Sequence, residues 1–498
     1  MTVFRAARPL DWRQVATVAA GAPLALADDA RTRVVVAREL VDEIVARGIR
    51  AYGVNTGVGA LCNVIVSPAQ QSELSRNILM SHAVGVGVPL GAAETRAIMA
   101  AAINNYAHGY SGVRVDVVEQ LVALLEHDCL PEVPAHGSVG YLTHMAHVAL
   151  VCIGHGHARY RGERIRGDEA LRRIGRDPLV LGAKEGLSLV NGTPCVTGLA
   201  ALALARAEWL LDWADWIAAM SFENLGGQLA AFDPTSLALR ISPGIEKVGA
   251  RLRALLADSG MLAAASGRHT QDPLSLRTIP HVHGAARDVF DVTTEVVNRE
   301  LASVTDNPIV AGTRDAPVAQ SQAHAVGAGI ALAMDSLAAA MAQVAAIAER
   351  RLDRLVNPLV SGLPAFLATP GGSCSGFMIA QYTAVALVAQ NQRLAAPASL
   401  DGGITSGLQE DHLCHATPAA LKALDIIENT TRVLAIELLA AAQAYDLQVD
   451  TAGRPAASTD ALWRCVRERV RAYQDDRPLA DDIAIAVGIV AGVPPSMR

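Results

Sequence analysis

Apolar residues recur at spacings of three and four over long stretches of this chain, a period that predicts helices rather than strands. In the first part, Thr32 to Arg47, Glu94 to His108 and Val115 to His127 each read as a helix. Pro131-Glu132-Val133-Pro134 closes the last of these, because proline lacks an amide donor and fixes its own backbone. Further on, the same period runs from Pro194 to about Leu229, Ala285 to Ala302, Val326 to Leu355, Phe377 to Ala395 and Pro418 to Ala444. No strand-like alternation reaches comparable length. Glycine-rich loops interrupt the first two hundred residues and give way to longer helical runs. The pattern predicts a mainly all-α protein with a smaller helical and loop domain over residues 1–193 and a lengthwise bundle of long helices over residues 194–498, ending in short helices from Ser458. No internal repeat stands out.

Composition narrows the class. Of 498 residues, 51% are hydrophobic but only 4% aromatic, so the core is built mostly from Ala, Leu and Val, as suits packed helices. The formal net charge of −7 is spread through both signs with no basic block, which argues against nucleic acid and against a polybasic membrane anchor. Apolar runs such as Ile330 to Ile347 are broken by Asp335, Ser336 and Gln343, and so read as buried bundle helices rather than membrane spans. Met1 to Leu26 carries Arg5, Arg8, Asp11 and Arg13 where a signal peptide needs an unbroken apolar run, and a cytoplasmic protein is expected. Seven cysteines are scattered singly with no C-x-x-C pair, which fits reduced thiols and disfavours a disulfide framework. No metal is expected either, since His144 and His147 lie at helical spacing with no matching Glu or Cys cluster.

Chemistry-bearing residues gather in the turns. In Tyr52-Gly53-Val54-Asn55-Thr56-Gly57-Val58-Gly59 the glycines open backbone geometry closed to other residues, making the loop a candidate site wall. A phenol titrates near about 10, so Tyr52 serves as a base only where neighbours lower that value; an isolated tyrosine here more often packs on a helix end. Ser81-His82 closes a helix carrying Arg76, Asn77 and Met80, where an imidazole more often caps or packs. Asn191 in Asn191-Gly192-Thr193 is suited to cap the helix that follows. Ser303-Val304-Thr305-Asp306-Asn307-Pro308 reads as a turn, and Glu410 and Asp411 as an acidic helix start.

Taken in order, these segments resemble the histidine and aromatic amino acid ammonia-lyases, over more than three hundred and fifty residues and nearly the whole chain. The Tyr52 loop is similar to the family's Tyr-Gly-x-Asn-Thr-Gly-x-Gly, which implies that Tyr52 is the catalytic base and Asn55 a substrate contact. Ser81-His82 is similar to the substrate-selecting pair of the histidine lyases, where other members carry different pairs. Asn191-Gly192-Thr193 matches a segment whose amide bonds the cofactor ring and the substrate, an oxyanion-hole type of task. Gln271-Asp272-Pro273-Leu274-Ser275-Leu276-Arg277 implies a bidentate grip of Arg277 on the substrate carboxylate, with Gln271 and Leu274 alongside. Gly371-Gly372-Ser373-Cys374-Ser375-Gly376-Phe377-Met378 implies Phe377 against the cofactor and Met378 toward the substrate. Gln409-Glu410-Asp411-His412 is again the histidine-lyase form, and with His82 it implies an imidazole ring in the pocket.

The resemblance also implies a cofactor. In the family, Gly-Ser-Val-Gly is followed by Ala-Ser-Gly, which cyclises by itself into a 4-methylidene-imidazol-5-one ring (MIO), and then by x-Leu-x-x-Leu/Met-Ala-His. Here Gly137-Ser138-Val139-Gly140 runs directly into Tyr141-Leu142-Thr143-His144-Met145-Ala146-His147. Two readings follow: a matured ring that the one-letter sequence does not spell, held between Gly140 and Tyr141 in the N-terminal domain, or a true three-residue deletion giving a catalytically silent relative. Other departures cluster nearby. Leu274 stands where the family has a tyrosine, Tyr141 where it has an aspartate and His144 where it has a proline. Ser321-Gln322-Ala323-His324-Ala325 replaces a Gly-Gly-Asn-Phe region, bringing in His324 and opening space at Ala325. The resemblance implies a MIO-dependent lyase that takes ammonia from histidine or a related amino acid and leaves an α,β-unsaturated acid of the urocanate type. It also implies a homotetramer with shared sites; an aminomutase or a betaine lyase are the alternatives among enzymes.

Overall fold

The computed structural model describes residues 4–6, 8–400, 402–448 and 452–494. Helices dominate. In chain order the first are α1 (Trp12–Ala19), α2 (Asp28–Ala46), α3 (Gln71–His82), α4 (Ala92–Ala107), α5 (Val115–Glu126), α6 (Thr143–Cys152), α7 (Gly167–Arg173), α8 (Glu185–Val190) and α9 (Pro194–Asn224). Long helices follow at Ile279–Leu301, Ala328–Val356, Met378–Leu394 and Ala416–Asp446, and shorter ones at Ala457–Arg467 and Leu479–Val490. The periodic stretches therefore appear as helices with ends displaced by a few residues. α1 starts where Asp11 accepts from the Gln14 amide and Gln14 reaches back, a reciprocal cap that satisfies two orphan donors.

Contacts divide the chain into two compact units. One gathers residues 1–205, 293–335 and 397–421; the other gathers 206–292, 336–396 and 422–498. α9 and the helices Ile279–Leu301, Ala328–Val356 and Ala416–Asp446 each supply residues to both units.

In the first unit α4 is buried over nearly its whole length, from Thr95 to Ala107. α8 comes so near to α3 that a Cβ on Gly186 would lie 2.2 Å from the Ser75 carbonyl oxygen, a spacing only glycine permits. That approach fixes the helix ending in His82 against the one ending before Asn191. Short strands, which helical periodicity does not predict, tie the loops together: Val86–Pro89 pairs antiparallel with Pro134–His136, and Ile309–Gly312 with Pro317–Gln320. The first pairing carries the chain just past His82 alongside the approach to the Gly140–Tyr141 join.

The second unit buries charge within its helices. His283 Nδ1 lies 2.8 Å from Asp215, and Arg351 Nε donates to Glu437 at 2.6 Å, where Ser221 also donates at 2.7 Å. All four charged or ionisable side chains are fully enclosed, so removing any one partner strands the other in a poor solvent for charge. Glu185–Asn224 and Ala328–Val356 are long and apolar enough to cross a membrane by length and composition. The apolar window of the first is entirely buried in the protein and that of the second 67% buried, as core helices are.

Candidate active site

The Tyr52 loop leaves the end of α2 and is anchored by a cluster in which Leu40, Val41 and Ile44 pack with Ala51, Val54, Ala183 and Val310. Asn55 is buried here and its amide is spent on the loop itself: Oδ1 accepts from Ala51 at 2.9 Å and Nδ2 donates to the Ile49 carbonyl at 2.8 Å. These bonds make Asn55 a brace for the turn. The Tyr52 hydroxyl is half-buried and accepts from the Gly59 amide at 3.2 Å. Burial pushes this phenol above its ordinary range, the Gly59 bond pulls the other way, and the charge of Glu410 pushes it further up.

Glu410 reaches this place from far along the chain, and Tyr141 meets it there. The Tyr141 hydroxyl donates to Glu410 Oε2 from a side chain only 7% exposed. Burial first, then Glu410, push the Tyr141 phenol well above its ordinary range, with Cys414 and Tyr52 adding to the effect. Tyr52, Tyr141 and Glu410 therefore form one cluster of two neutral phenols around a carboxylate.

The backbone on either side of the Gly140–Tyr141 peptide is closed by hydrogen bonds. Ser138 Oγ accepts from the Gly140 amide at 3.0 Å and donates to the Tyr141 carbonyl at 2.9 Å. From the other side the His415 amide donates to Val139 O at 2.9 Å, and Thr417 Oγ1 to Gly140 O at 3.0 Å. Leu142 takes φ 73° and ψ −73° with the Thr143 amide on the Tyr141 carbonyl, a γ-turn of the rare, strained hand, before α6 begins. Gly140 itself sits at φ 145°, and a Cβ there would lie 3.0 Å from Cys414 Sγ. Gly140 runs directly into Tyr141, and the ring implied by the resemblance would lie at this join, between backbone held by Ser138, His415 and Thr417.

Asn191 caps the end of α8, buried, with Nδ2 donating to Asn307 O at 2.5 Å. Asn307 Oδ1 accepts from the Gln322 amide at 2.8 Å and Gln322 Nε2 donates to Asp306 O at 3.0 Å. His324 is exposed on this turn, its amide donating to Gln322 Oε1 at 2.6 Å, while Ala325 is buried. Beneath them Lys184 Nζ donates to Asp306 at 3.0 Å, Ser188 at 2.7 Å and Ser111 O at 2.8 Å. Burial lowers the Lys184 pKa and Asp306 holds it up. Sequence reasoning passed over Lys184; a charged pair, Lys184-Glu185, inside an otherwise apolar run was the signal, since buried charge demands a partner.

Ser81 is exposed and His82 half-buried at the end of α3, with Ser81 Oγ 3.1 Å from His82 Nδ1. Burial lowers the His82 pKa, favouring the neutral ring that can either donate or accept. His147 Nε2 accepts from the Gly85 amide at 3.0 Å, and His144 Nε2 lies 3.0 Å from Ala135 O, so both are structural. Gln271, Leu274 and Arg277 belong to the second unit, Gln271 exposed, Leu274 60% exposed and Arg277 half-buried with Nε unpaired. Phe377 and Met378 lie there too, Phe377 buried edge-on against Tyr473 with ring centres 5.6 Å apart. Among the described residues no three His, Cys, Asp or Glu side chains are grouped to hold a metal ion.

Residues 10–468 match the family model described as aromatic amino acid lyase. The chain is 44% identical over 479 residues to a histidine ammonia-lyase from Symbiobacterium thermophilum, covering 96% of this chain and 94% of that one. It is 46% identical over 488 residues to a histidine ammonia-lyase from Anaeromyxobacter dehalogenans, covering 95% of each. The crystal structure of histidine ammonia-lyase from Trypanosoma cruzi superposes with a TM-score of 0.90 at 34% identity, over 98% of this chain and 93% of that one.

Proposed function

This chain belongs to the aromatic amino acid lyase family, and from that premise we propose that it is a carbon–nitrogen lyase taking ammonia from histidine, or from an amino acid with a similar ring, to leave an α,β-unsaturated acid. The observation that carries the reading is the Tyr52, Tyr141 and Glu410 cluster, which sets a carboxylate and two phenols at a site whose imidazole-selecting pair, Ser81-His82, closes the helix packed on α8.

Each residue has a task that its chemistry suits. Arg277 grips the substrate carboxylate, with Gln271 and Leu274 beside it; its unpaired Nε is a free donor for such a partner. His82 and Glu410 orient the imidazole. Asn191 offers its amide to the developing charge, Gly140 lets the backbone come close, and His324, Phe377 and Met378 shape the pocket. Tyr52 removes the β-proton, and because burial keeps its phenolate scarce, it passes its own proton to Glu410 as it does so. The family's MIO ring, held at the Gly140–Tyr141 join, would supply an electrophile.

We also take the protein to act in the cytoplasm as a homotetramer whose sites draw on several copies. Exposed apolar side chains on the helix Met378–Leu394, among them Ile379, Tyr382 and Val385, support association, because faces of that kind usually find a partner. Purified protein should release ammonia from histidine with the rise in ultraviolet absorbance of a conjugated acid. No ammonia from histidine, with ammonia from another aromatic amino acid, would overturn the substrate assignment.

A further inference from the structure

The side-chain amide of Asn191 is fixed at both ends. Its Oδ1 accepts from the Gly192 amide at 3.0 Å and its Nδ2 donates to Asn307 O at 2.5 Å. Turning the amide over would lose both bonds and set Oδ1 against the Asn307 carbonyl, acceptor against acceptor, so the group has one orientation. One N–H is spent on Asn307, which leaves the second a single direction to point.

That direction is only as firm as Asn307, and the turn around it is gripped from several sides. Thr305 Oγ1 accepts from the Thr193 amide at 3.2 Å, and Asn105 Oδ1 accepts from both the Thr305 amide and its hydroxyl at 3.1 Å. Gly192, at φ 91°, lies so near that a Cβ there would stand 2.9 Å from Thr305 Oγ1. Asp306 pairs with buried Lys184 and accepts from the Asn307 amide at 2.7 Å. Gln322 completes the grip. Its own amide donates to Asn307 Oδ1 at 2.8 Å and its Nε2 to the Asp306 carbonyl at 3.0 Å, so it holds the turn by backbone and side chain together. It lies in Ser321–Ala325, a segment where this chain departs from its family.

We propose that Gln322 is a positioning residue for Asn191: by holding Asp306 and Asn307 it aims the second N–H of Asn191 at the charge that develops during elimination. That charge belongs to the proposed lyase reaction, on which the assignment rests. A donor fixed in advance needs no reorganisation as charge appears, so its aim counts in the transition state more than in substrate binding. Loosening the grip therefore lowers kcat and spares KM.

A double-mutant cycle on the purified full chain, with histidine as substrate, tests this. Asn191→Ala should lower kcat by about 10²- to 10³-fold. Gln322→Ala should lower it by about 10-fold with KM little changed, as misplacement of a reacting group does. With Asn191→Ala already present, Gln322→Ala should cost less than about twofold, because the amide it acts through is gone. Equal losses in the two backgrounds would place its action elsewhere, through the His324 amide that its Oε1 accepts, and would overturn the proposal. An unchanged kcat in Gln322→Ala would overturn it too. Amide hydrogen exchange over Asn191–Thr193 reads the same grip without turnover, and should quicken by about 10-fold in Gln322→Ala; exchange equal to the parent's would sink the idea. A parent that releases no ammonia from histidine takes away the lyase reading, and exchange then decides whether Gln322 holds Asn191.

Discussion

Lys184 and Asp306 face each other at 3.0 Å with both side chains wholly excluded from solvent. Taking two charges out of water costs several kcal/mol per ion, recovered only while each has its partner and its hydrogen bonds. Lys184 completes its set with Ser111 O and Ser188 Oγ, and Asp306 heads the turn that meets Asn191. Asp306→Asn should therefore destabilise the protein by about 3–5 kcal/mol in urea unfolding, while Lys184→Met combined with Asp306→Leu should regain most of the loss. A single variant as stable as the parent would show that the pair carries no such cost.

Removing the Tyr52 hydroxyl tests its place in the reaction. Tyr52→Phe keeps the ring and its packing, so KM for histidine should change little while kcat falls by about 10²- to 10⁴-fold. Steady-state kinetics decide, and a kcat within a factor of two of the parent would remove Tyr52 from the proton path.

Glu410→Gln should lower the titration of both phenols. The Glu410 charge pushes Tyr52 and Tyr141 up, and without it both phenolates should form nearer the ordinary value of about 10, read as ultraviolet absorbance against pH. The same shift bears on stability. A phenol raised by folding contributes stabilisation that is complete below the unfolded value and is lost as pH rises through the folded one, so the parent should lose more stability in strong alkali than Tyr141→Phe does.

Gly140→Ala should cost about 1–3 kcal/mol, because the residue holds φ 145° and its new Cβ would press on Cys414 Sγ at 3.0 Å. Thermal unfolding measures this. Cys414→Ala in the same chain should relieve only the contact and leave the backbone part of the loss.

The long periodic helices were legible to within a few residues. Pro194 opens α9 and Val115 opens α5, since both their apolar stripes and their flanking breakers are local signals. The short strands were not: Val86–Pro89 and Pro134–His136 hold three or four residues each, and what makes them strands is a partner some fifty residues away. At the site, residue types and their order pointed to Tyr52, Tyr141, Asn191 and Glu410, but not to who bonds whom. Asn55 reads as a substrate contact only through the family resemblance; its bonds to Ile49 and Ala51 are a property of the folded turn. Tyr141 and Glu410 stand 269 positions apart, and no spacing rule reaches that far.

The Thr417 bond to Gly140 spans 277 positions, and a contact so distant in sequence sets a timetable on the ribosome. The glycines of the join emerge early, together with the helices around them, yet the hydroxyl and amide that shut it are among the last parts of the first unit to be synthesised. Until then the turn at Leu142 is held from one side, by Ser138 and by the Leu142 amide on Val190 O, and strain persists only where the surroundings impose it. A chain halted before residue 410 would possess Tyr52, Tyr141 and Asn191 and still lack the carboxylate that the two phenols face. The join is closed only once the segment around residues 410–417 has been made and folds back on it.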